Sequence, residues 1–472
     1  MVHEVVAAGE HETQARSRWF ESLRIQIDYT PYSARRRVTV MLPRAFRTVS
    51  ALPRTLGNNV GQCQRQQLHV KIDSPHRLTV VLESGLERTL TTDWIVDNSN
   101  EARDPMTNQK VHNVGFDLSS PLTIQQVTCD ATLLNLCCGN DQQFTIDLNW
   151  LTHTLASSSS TQFDPLPTAL SAHSTIPRVN YNEVINSDEG LYQWTSALAD
   201  TGLCIVENAP LKENTVTKAA GRIAPPIETL YGSIFDVRTE TNPINIAYTN
   251  AGLRHHQDLA YYESPPGLQF LHCLAFDDTI VGGQSTFLDT FVLVNLLREE
   301  NPAAYETFTK IPATFQKDHV DRENPAQFFY RRPHVTTNAT GDVTQVFWSP
   351  AFEGPLHMDP ATADALGYAS EGDAVDAYYE AYRAFTQLLL NRDILEKWEI
   401  NLRAKEGELL SFNQRRMLHG REAFHGKGER HFQGCYVGEG DFASRHRVLD
   451  LKYGVGVRGK ENVQRLSNGC HR

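Results

Sequence analysis

Along the first third of this chain, apolar and polar positions alternate in short runs. Between residues 19 and 155, RIQIDY, RRVTVML, LHVKI, RLTVVLESG and FTIDLNWL show the period-two pattern of half-buried strands. Turn-forming residues separate them, so the pattern predicts a small β-rich N-terminal domain over 19–155. Residues 156–178, containing SSSSTQFDPLPTALSAHSTIP, are rich in Ser, Thr and Pro and read as a linker. After it the period changes. SDEGLYQWTSALADTG predicts a helix with Ser187 or Asp188 as its cap and Gly202 as its stop. LCIVENAP reads as a buried strand, and a helix is expected around 213–222. QFLHCLAF, GGQSTFLDT and DVTQVFWSP read as strands, and VLVNLLREEN as a helix that begins at Asp289-Thr290. In DAVDAYYEAYRAFTQLLLN, Val375, Tyr378, Tyr382, Phe385 and Leu389 recur every three or four residues, a stripe suited to a core or a dimer contact. KEGELLSFNQRRMLHGREAFHGKGERHFQGCYVGEGD alternates strand and turn signals, and residues 453–472 read as a polar tail. Strands dominate 179–452. The expected class is therefore mainly β with flanking helices, an antiparallel sandwich or jelly-roll barrel.

Composition narrows the function classes. A chain of 472 residues is too long for one small core. Its formal net charge of -12 argues against general nucleic-acid binding, which needs a basic footprint. No apolar run approaches the roughly 18 residues of a membrane helix. The eight cysteines include no CxxC pair, so neither a zinc framework nor a disulfide scaffold is expected. A reducing, cytoplasmic compartment fits them, and MVHEVVAAGEHETQ shows no signal or transit pattern.

Chemistry centres on His256-Gln257-Asp258. On an extended segment, residues two apart project to one side, so His256 and Asp258 can reach one metal ion. A second histidine from elsewhere would complete the 2-His-1-carboxylate face that suits non-haem Fe(II). His-x-Asp is short enough to arise by coincidence, and the chain holds two further copies, His319/Asp321 and His357/Asp359. Context separates them. Asp359 precedes Pro360 and reads as a helix N-cap, while His319 and Asp321 lie in the charged run KDHVDREN. Only the first copy leads into an apolar stretch, LAYYESPPGLQFLHCL. For the remaining ligand, the C-terminal part offers His419, His425 and His431. His419 follows ELLSF and the turn NQRR, which places it at a barrel mouth; the other two sit beside Gly, Lys or Arg and read as solvent-facing. Arg430 lies eleven residues beyond His419 (430 − 419 = 11) and can grip a carboxylate bidentately from the neighbouring strand.

With PPGLQFLHCL and GGQSTFLD after the first motif, and NQRRMLHGREAF and RHFQGCY at the end, residues 180–450 resemble the γ-butyrobetaine and trimethyllysine dioxygenase family of taurine-dioxygenase-like oxygenases. The resemblance implies a double-stranded β-helix that uses Fe(II), the co-substrate 2-oxoglutarate and O2, with ascorbate as reductant in vitro. It implies that His256, Asp258 and His419 hold iron, and that Arg430, assisted by Ser285, binds 2-oxoglutarate. It places Tyr231, Phe235, Tyr248 and Tyr436 around a trimethylammonium group, each aromatic contact contributing roughly 0.5–2 kcal/mol. Phe235 stands where the resemblance leads one to expect Trp. Asn245 matches a contact to the substrate carboxylate, but the second asparagine expected near Ser349 or Pro350 is missing. In DWIVDNSN, Asn98 and Asn100 stand where zinc-binding cysteines would, so the N-terminal domain is expected without its zinc. A homodimer is expected by analogy. The function expected is hydroxylation of a small substrate; the alternatives are desaturation or cyclisation of a secondary-metabolite intermediate, or a non-catalytic quaternary-ammonium binder.

Overall fold

A computed structural model describes residues 68–157, 168–238, 249–321 and 325–454. The stretches RIQIDY and RRVTVML, most of the linker, Asn245, Tyr248 and nearly all of the polar tail lie outside the described residues.

In the N-terminal part, two three-stranded antiparallel sheets form. One comprises Leu68–Ser74, Arg77–Leu82 and Glu87–Thr91; the other Ile124–Cys129, Leu133–Cys138 and Gln142–Asp147. Alternate residues such as Leu68, Val70, Leu78, Val80, Leu134 and Leu136 share one core, as period two requires. FTIDLNWL is only half strand. Asp147 accepts the Trp150 N–H at 2.9 Å, and the chain turns into the helix Leu148–Ser157, with Leu151 and Leu155 one turn apart in the core. DWIVDN likewise forms a short helix, Thr92–Asp97, capped by Thr91. Asn98 Nδ2 donates to Trp94 O at 2.8 Å, and Asn100 Nδ2 to Thr145 Oγ1 at 2.9 Å.

From residue 178 onward, two larger sheets pack on each other. The six-stranded sheet runs Arg178–Asn180, Leu203–Glu207, Leu409–Asn413, Leu268–Phe276, Arg430–Val437, Phe235–Val237. The four-stranded sheet runs Leu253–His256, Met417–Arg421, Ser285–Asp289, Ile400–Leu402. Only the first pair of the larger sheet is parallel. Ile205, Cys273, Leu410, Phe412 and Phe432 meet Phe287, Ile400 and Met417 between the sheets, with the Phe287 and Phe412 rings edge-on at 5.1 Å. Their alternates Cys204, Val206, Phe270, Leu409 and Val437 pack outward against helices. LCIVE is therefore apolar on both faces, which explains its unbroken hydrophobic run.

The flanking helices follow local chemistry. Ser187 caps Asp188–Thr201 through Gly190 N–H, and Gly202 ends it at φ 74°. Leu191, Trp194 and Leu198 face the sheet, and Trp194 Nε1 donates to Ser411 Oγ at 2.8 Å. Beneath the four-stranded sheet, Leu288 and Leu418 pack on Thr290–Glu300, Pro302–Lys310 and Glu371–Leu390. There Phe385 and Leu389 are core residues, so much of the aromatic stripe is internal.

The class is mixed α/β with several sheets rather than mainly β. Tyr181–Asn186, Pro302–Lys310 and Arg392–Trp398 begin at the N-caps Asn180, Asn301 and Asn391. Asparagine serves turns as readily as caps, so these short helices resemble loops in sequence. Glu439–Tyr453 buries only Phe442 and Leu449, too few to show a period. The hairpin Pro312–His319/Ala326–Pro333 likewise carries more structure than its charged sequence suggests.

Candidate metal centre

Register places the candidate ligands. Strand Leu253–His256 pairs antiparallel with Met417–Arg421 so that His256 faces His419, and the ring centroids lie 4.3 Å apart. Gly420 makes this approach possible: a Cβ there would stand 2.8 Å from Leu253 O and 2.7 Å from Thr286 Oγ1. Gln257 points away from the imidazoles. Its backbone N–H donates to Trp348 O, and its Oε1 accepts the Trp348 N–H, both at 2.8 Å. That reciprocal clasp holds the alternation, leaving His256 and Asp258 on the opposite side. Leu259 follows at φ 56°, an uncommon conformation for leucine, and turns the chain sharply after the carboxylate.

His256 Nε2 lies 3.4 Å from Asp258 Oδ1, and His419 Nε2 lies 3.7 Å from Asp258 Oδ2. The ligand atoms of these three residues all lie within 4.8 Å of one another, the only such group of three among the described residues. His256 Nδ1 is 2.8 Å from Arg254 O; a carbonyl only accepts, so this nitrogen carries the hydrogen and Nε2 keeps its lone pair. The Tyr436 hydroxyl donates to Asp258 Oδ2 at 2.8 Å. Burial alone would raise the Asp258 pKa, but the two imidazoles and Tyr436 outweigh it and hold the carboxyl well below its usual range. His419 is pushed down to about 3, by burial first and by His256 second. His256 is raised because Asp258 outweighs its burial. One carboxylate and two inward-facing nitrogens form a donor set that fits Fe(II).

The other histidines and aspartates have different surroundings. Asp359 caps Pro360–Ala365, accepting Thr362 N–H at 2.8 Å and its hydroxyl at 2.9 Å. Asp359→Ala is expected to cost about 1 kcal/mol of stability and leave iron binding intact; a melting curve read beside iron content checks both. His319 ends a hairpin strand, Asp321 is exposed, and His425 and His357 are exposed. His431 departs from expectation. It is buried, alternates with inward-facing Phe432, and pairs its Nε2 with Asp236 Oδ1 at 2.6 Å.

A cavity of about 340 Å³ opens over the three ligands, lined also by Tyr231, Phe235, Ser285, Arg430 and Tyr436. The Phe235 and Tyr436 rings stack at 4.9 Å. Arg430 is buried among Phe276, Phe424 and Phe432 and donates to Gly283 O at 3.0 and 3.3 Å. Among the described residues no carboxylate pairs with it, and burial, reinforced by Arg421, pushes it down to about 9. Sequence reasoning passed over Arg421, which faces Ser285 across the sheet, lines the same cavity and donates to Thr249 O and Ala251 O at 2.8 and 2.6 Å. The signal was available: it lies two residues beyond His419 on one strand, hence on the same face. Tyr261 also went unread, although its buried ring lines the cavity and meets Phe352 at 5.2 Å. Where the second asparagine was expected, Pro350 lines the cavity, while Ser349 is fully buried.

Residues 162–436 match the family described as "Taurine catabolism dioxygenase TauD, TfdA family". The chain belongs to this family. It is 33% identical over 276 residues to a γ-butyrobetaine dioxygenase of Pseudomonas sp. (strain AK-1), covering 58% of this chain and 66% of the relative. It is 31% identical over 273 residues to dioxygenase str8 of Strobilurus tenacellus, covering 55% and 59%. It is 27% identical over 368 residues to mitochondrial trimethyllysine dioxygenase of Mus musculus, covering 76% and 82%. The chain thus spans slightly less than two thirds of the first two relatives. Among the described residues of this TauD-family chain, no helix is long and apolar enough to cross a membrane.

Proposed function

We propose that this chain is an Fe(II)- and 2-oxoglutarate-dependent oxygenase that hydroxylates an unactivated C–H bond of a small substrate bearing a trimethylammonium or related amino-acid-derived group. The observation that carries this reading is the convergence of His256, Asp258 and His419 with a buried arginine, Arg430, on one cavity. The two packed sheets are read as a double-stranded β-helix. Iron and 2-oxoglutarate, when bound, would let O2 serve as the oxidant, one of its oxygen atoms ending in succinate as 2-oxoglutarate loses CO2 and the other in the hydroxylated product.

The protein's own groups bind and orient. His256, Asp258 and His419 would hold the metal, and the Tyr436 hydroxyl bond keeps Asp258 turned towards it. Arg430 offers its guanidinium to the far carboxylate of 2-oxoglutarate, with Ser285 beside it and Arg421 adding positive charge. Tyr231, Phe235 and Tyr436 present aromatic faces to a cation, and Phe in place of Trp weakens that attraction without removing it. Pro350 in the cavity wall supports a second reading, the same cofactors acting on a secondary-metabolite intermediate that lacks the substrate carboxylate, by hydroxylation, desaturation or cyclisation. A non-catalytic quaternary-ammonium binder would have no use for the three donors and Arg430. The domain scheme of 19–155, 156–178, 179–452 and 453–472, a homodimer and a cytoplasmic location complete the proposal.

The test is succinate release with Fe(II), ascorbate and 2-oxoglutarate across γ-butyrobetaine, trimethyllysine and other amines and amino acids, with product masses. Turnover with a gain of one oxygen on a trimethylammonium compound supports the reading. Turnover confined to other compounds moves the assignment to the second. Arg430→Ala is expected to raise the KM for 2-oxoglutarate roughly tenfold to a hundredfold, the loss of a charged hydrogen bond of about 1.5–3 kcal/mol. An unchanged KM would remove the arginine from the co-substrate site.

A further inference from the structure

The outer face of the six-stranded sheet carries a polar network directly behind the aromatic wall of the cavity. Phe235 and Val237 both line the cavity, so Asp236 between them projects to the opposite face. There its Oδ1 accepts from His431 Nε2 at 2.6 Å and from Gln433 Nε2 at 3.2 Å. A carboxylate only accepts, so His431 Nε2 carries the hydrogen. Gln433 Oε1 in turn accepts the Asn214 N–H at 2.6 Å, which joins the network to the segment leading into helix Thr215–Ala220. His431 and Gln433 are 7% and 4% exposed, so both donors to Asp236 are fixed inside the protein. Arg238 Nη2 stands 3.7 Å from Asp236 Oδ2, but it is half exposed and adds little.

The cavity side shows what this network holds. Phe235–Val237 is a three-residue strand at the sheet edge, and among the described residues it pairs only with Arg430–Val437. Phe235 faces Gly434, and its ring lies against that residue: a Cβ there would stand 2.4 Å from Phe235 Cζ. From this seat the ring stacks on Tyr436 at 4.9 Å. A strand so short, paired on one side, has little backbone bonding of its own to keep the ring in place.

We propose that Asp236 and His431 are positioning residues: their hydrogen bond, made behind the sheet, fixes the edge strand that presents Phe235 to the substrate. The proposal deepens the function above and rests on it only in taking Phe235 to face the substrate. Neither residue lines the cavity, so neither touches substrate, metal or 2-oxoglutarate. The attraction between a cation and a ring depends on the cation lying over the ring face, so a wall that tilts or recedes loses affinity although every aromatic remains. A charge-assisted bond suits that task because it is shorter and stronger than a neutral one. Arg430 adjoins His431 in sequence but turns to the cavity and is held there by Gly283 O. The grip on 2-oxoglutarate is therefore separate from the pair. This role also accounts for a buried histidine within a run of charged and glycine residues.

The test replaces Phe235 with para-fluorophenylalanine in the full chain and reads its single fluorine resonance, beside the kinetics of the enzyme with natural Phe235. In otherwise wild-type protein the line should be single and displaced from that of the free amino acid by the Tyr436 ring. In Asp236→Ala and His431→Ala it should broaden or move towards the free position, whereas Asp236→Asn, which keeps an acceptor for His431, should hold it. Both alanine variants should raise the KM for γ-butyrobetaine, used as probe, about threefold to thirtyfold. Their kcat and their KM for 2-oxoglutarate should stay within about twofold of wild type. In a Phe235→Ala background the same substitutions should leave the γ-butyrobetaine KM where Phe235→Ala alone puts it. An unmoved fluorine line in both alanine variants, or an effect on KM that persists without Phe235, overturns the proposal. So does a matching rise in the KM for 2-oxoglutarate, which would mark general disruption of the sheet. Should Asp236→Ala fail to fold, His431→Ala decides; failure of both assigns the pair to stability and overturns its positioning role. If no trimethylammonium compound is turned over while the fluorine pattern holds, the substrate reading fails and the positioning of Phe235 stands.

Discussion

His256→Ala or Asp258→Ala abolishes substrate-dependent succinate formation, with an expected loss of at least about a thousandfold, or about 4 kcal/mol in the barrier. Each substitution removes one of three donors that lie within 4.8 Å of one another. Asp258 is also the only one bearing a negative charge, so its loss leaves two neutral imidazoles to hold a dication. Iron retained after anaerobic loading should fall in parallel, while the melting temperature changes little because neither side chain fills the core. Asp258→Ala additionally strands the Tyr436 hydroxyl, at about 1 kcal/mol. Full activity in either variant would dismiss the metal assignment. Loss of iron in Asp359→Ala instead would mean that another His-x-Asp copy is the site.

The second large effect is on stability. Asp289→Ala should destabilise the chain by about 3–5 kcal/mol, because it leaves the Arg416 guanidinium buried and unpaired. Arg416 Nη2 and Nε donate to Asp289 Oδ2 at 2.6 and 3.0 Å, with the two side chains only 3% and 1% exposed. Asp289 Oδ1 also accepts Phe291 N–H at 2.9 Å and so caps Thr290–Glu300, which adds about 1 kcal/mol to the loss. Arg416 ties further to Asp200 O and Thr168 O, and it directly precedes the strand that carries His419. Urea unfolding is the measurement. Replacing both partners with apolar residues of similar size should recover most of the loss, since no buried charge then remains. A shift below about 1 kcal/mol in Asp289→Ala would show that water reaches the pair.

Much of the fold was legible wherever a local rule was sufficient. Ser187 and Gly202 bracket their helix, Asp359 with Pro360 caps another, and LCIVE is a strand buried on both faces. The class came out less β than expected because short helices capped by Asn180, Asn301 and Asn391 have the composition of turns. His431 was misjudged for a related reason. Its neighbours are charged, but the strand alternation that buries it is set by Phe432 turning towards the other sheet.

By itself the sequence determined which residues can do the chemistry: a His-x-Asp on an extended segment, a distant histidine, and an arginine eleven residues beyond it, although that arginine stands on a strand of the other sheet and not on the neighbouring strand that the sequence suggested. These are fixed by the period of a strand and by side-chain functional groups, which are local properties. Only the tertiary structure decided that His256 and His419 stand opposite each other in one register, that Gln257 is clasped by Trp348, and that Arg421 and Tyr261 share the cavity. Those facts depend on contacts between segments more than a hundred and fifty positions apart in the chain for the two histidines (419 − 256 = 163). Sheet pairing and burial of both sheet faces set them, and no local pattern encodes such a pairing.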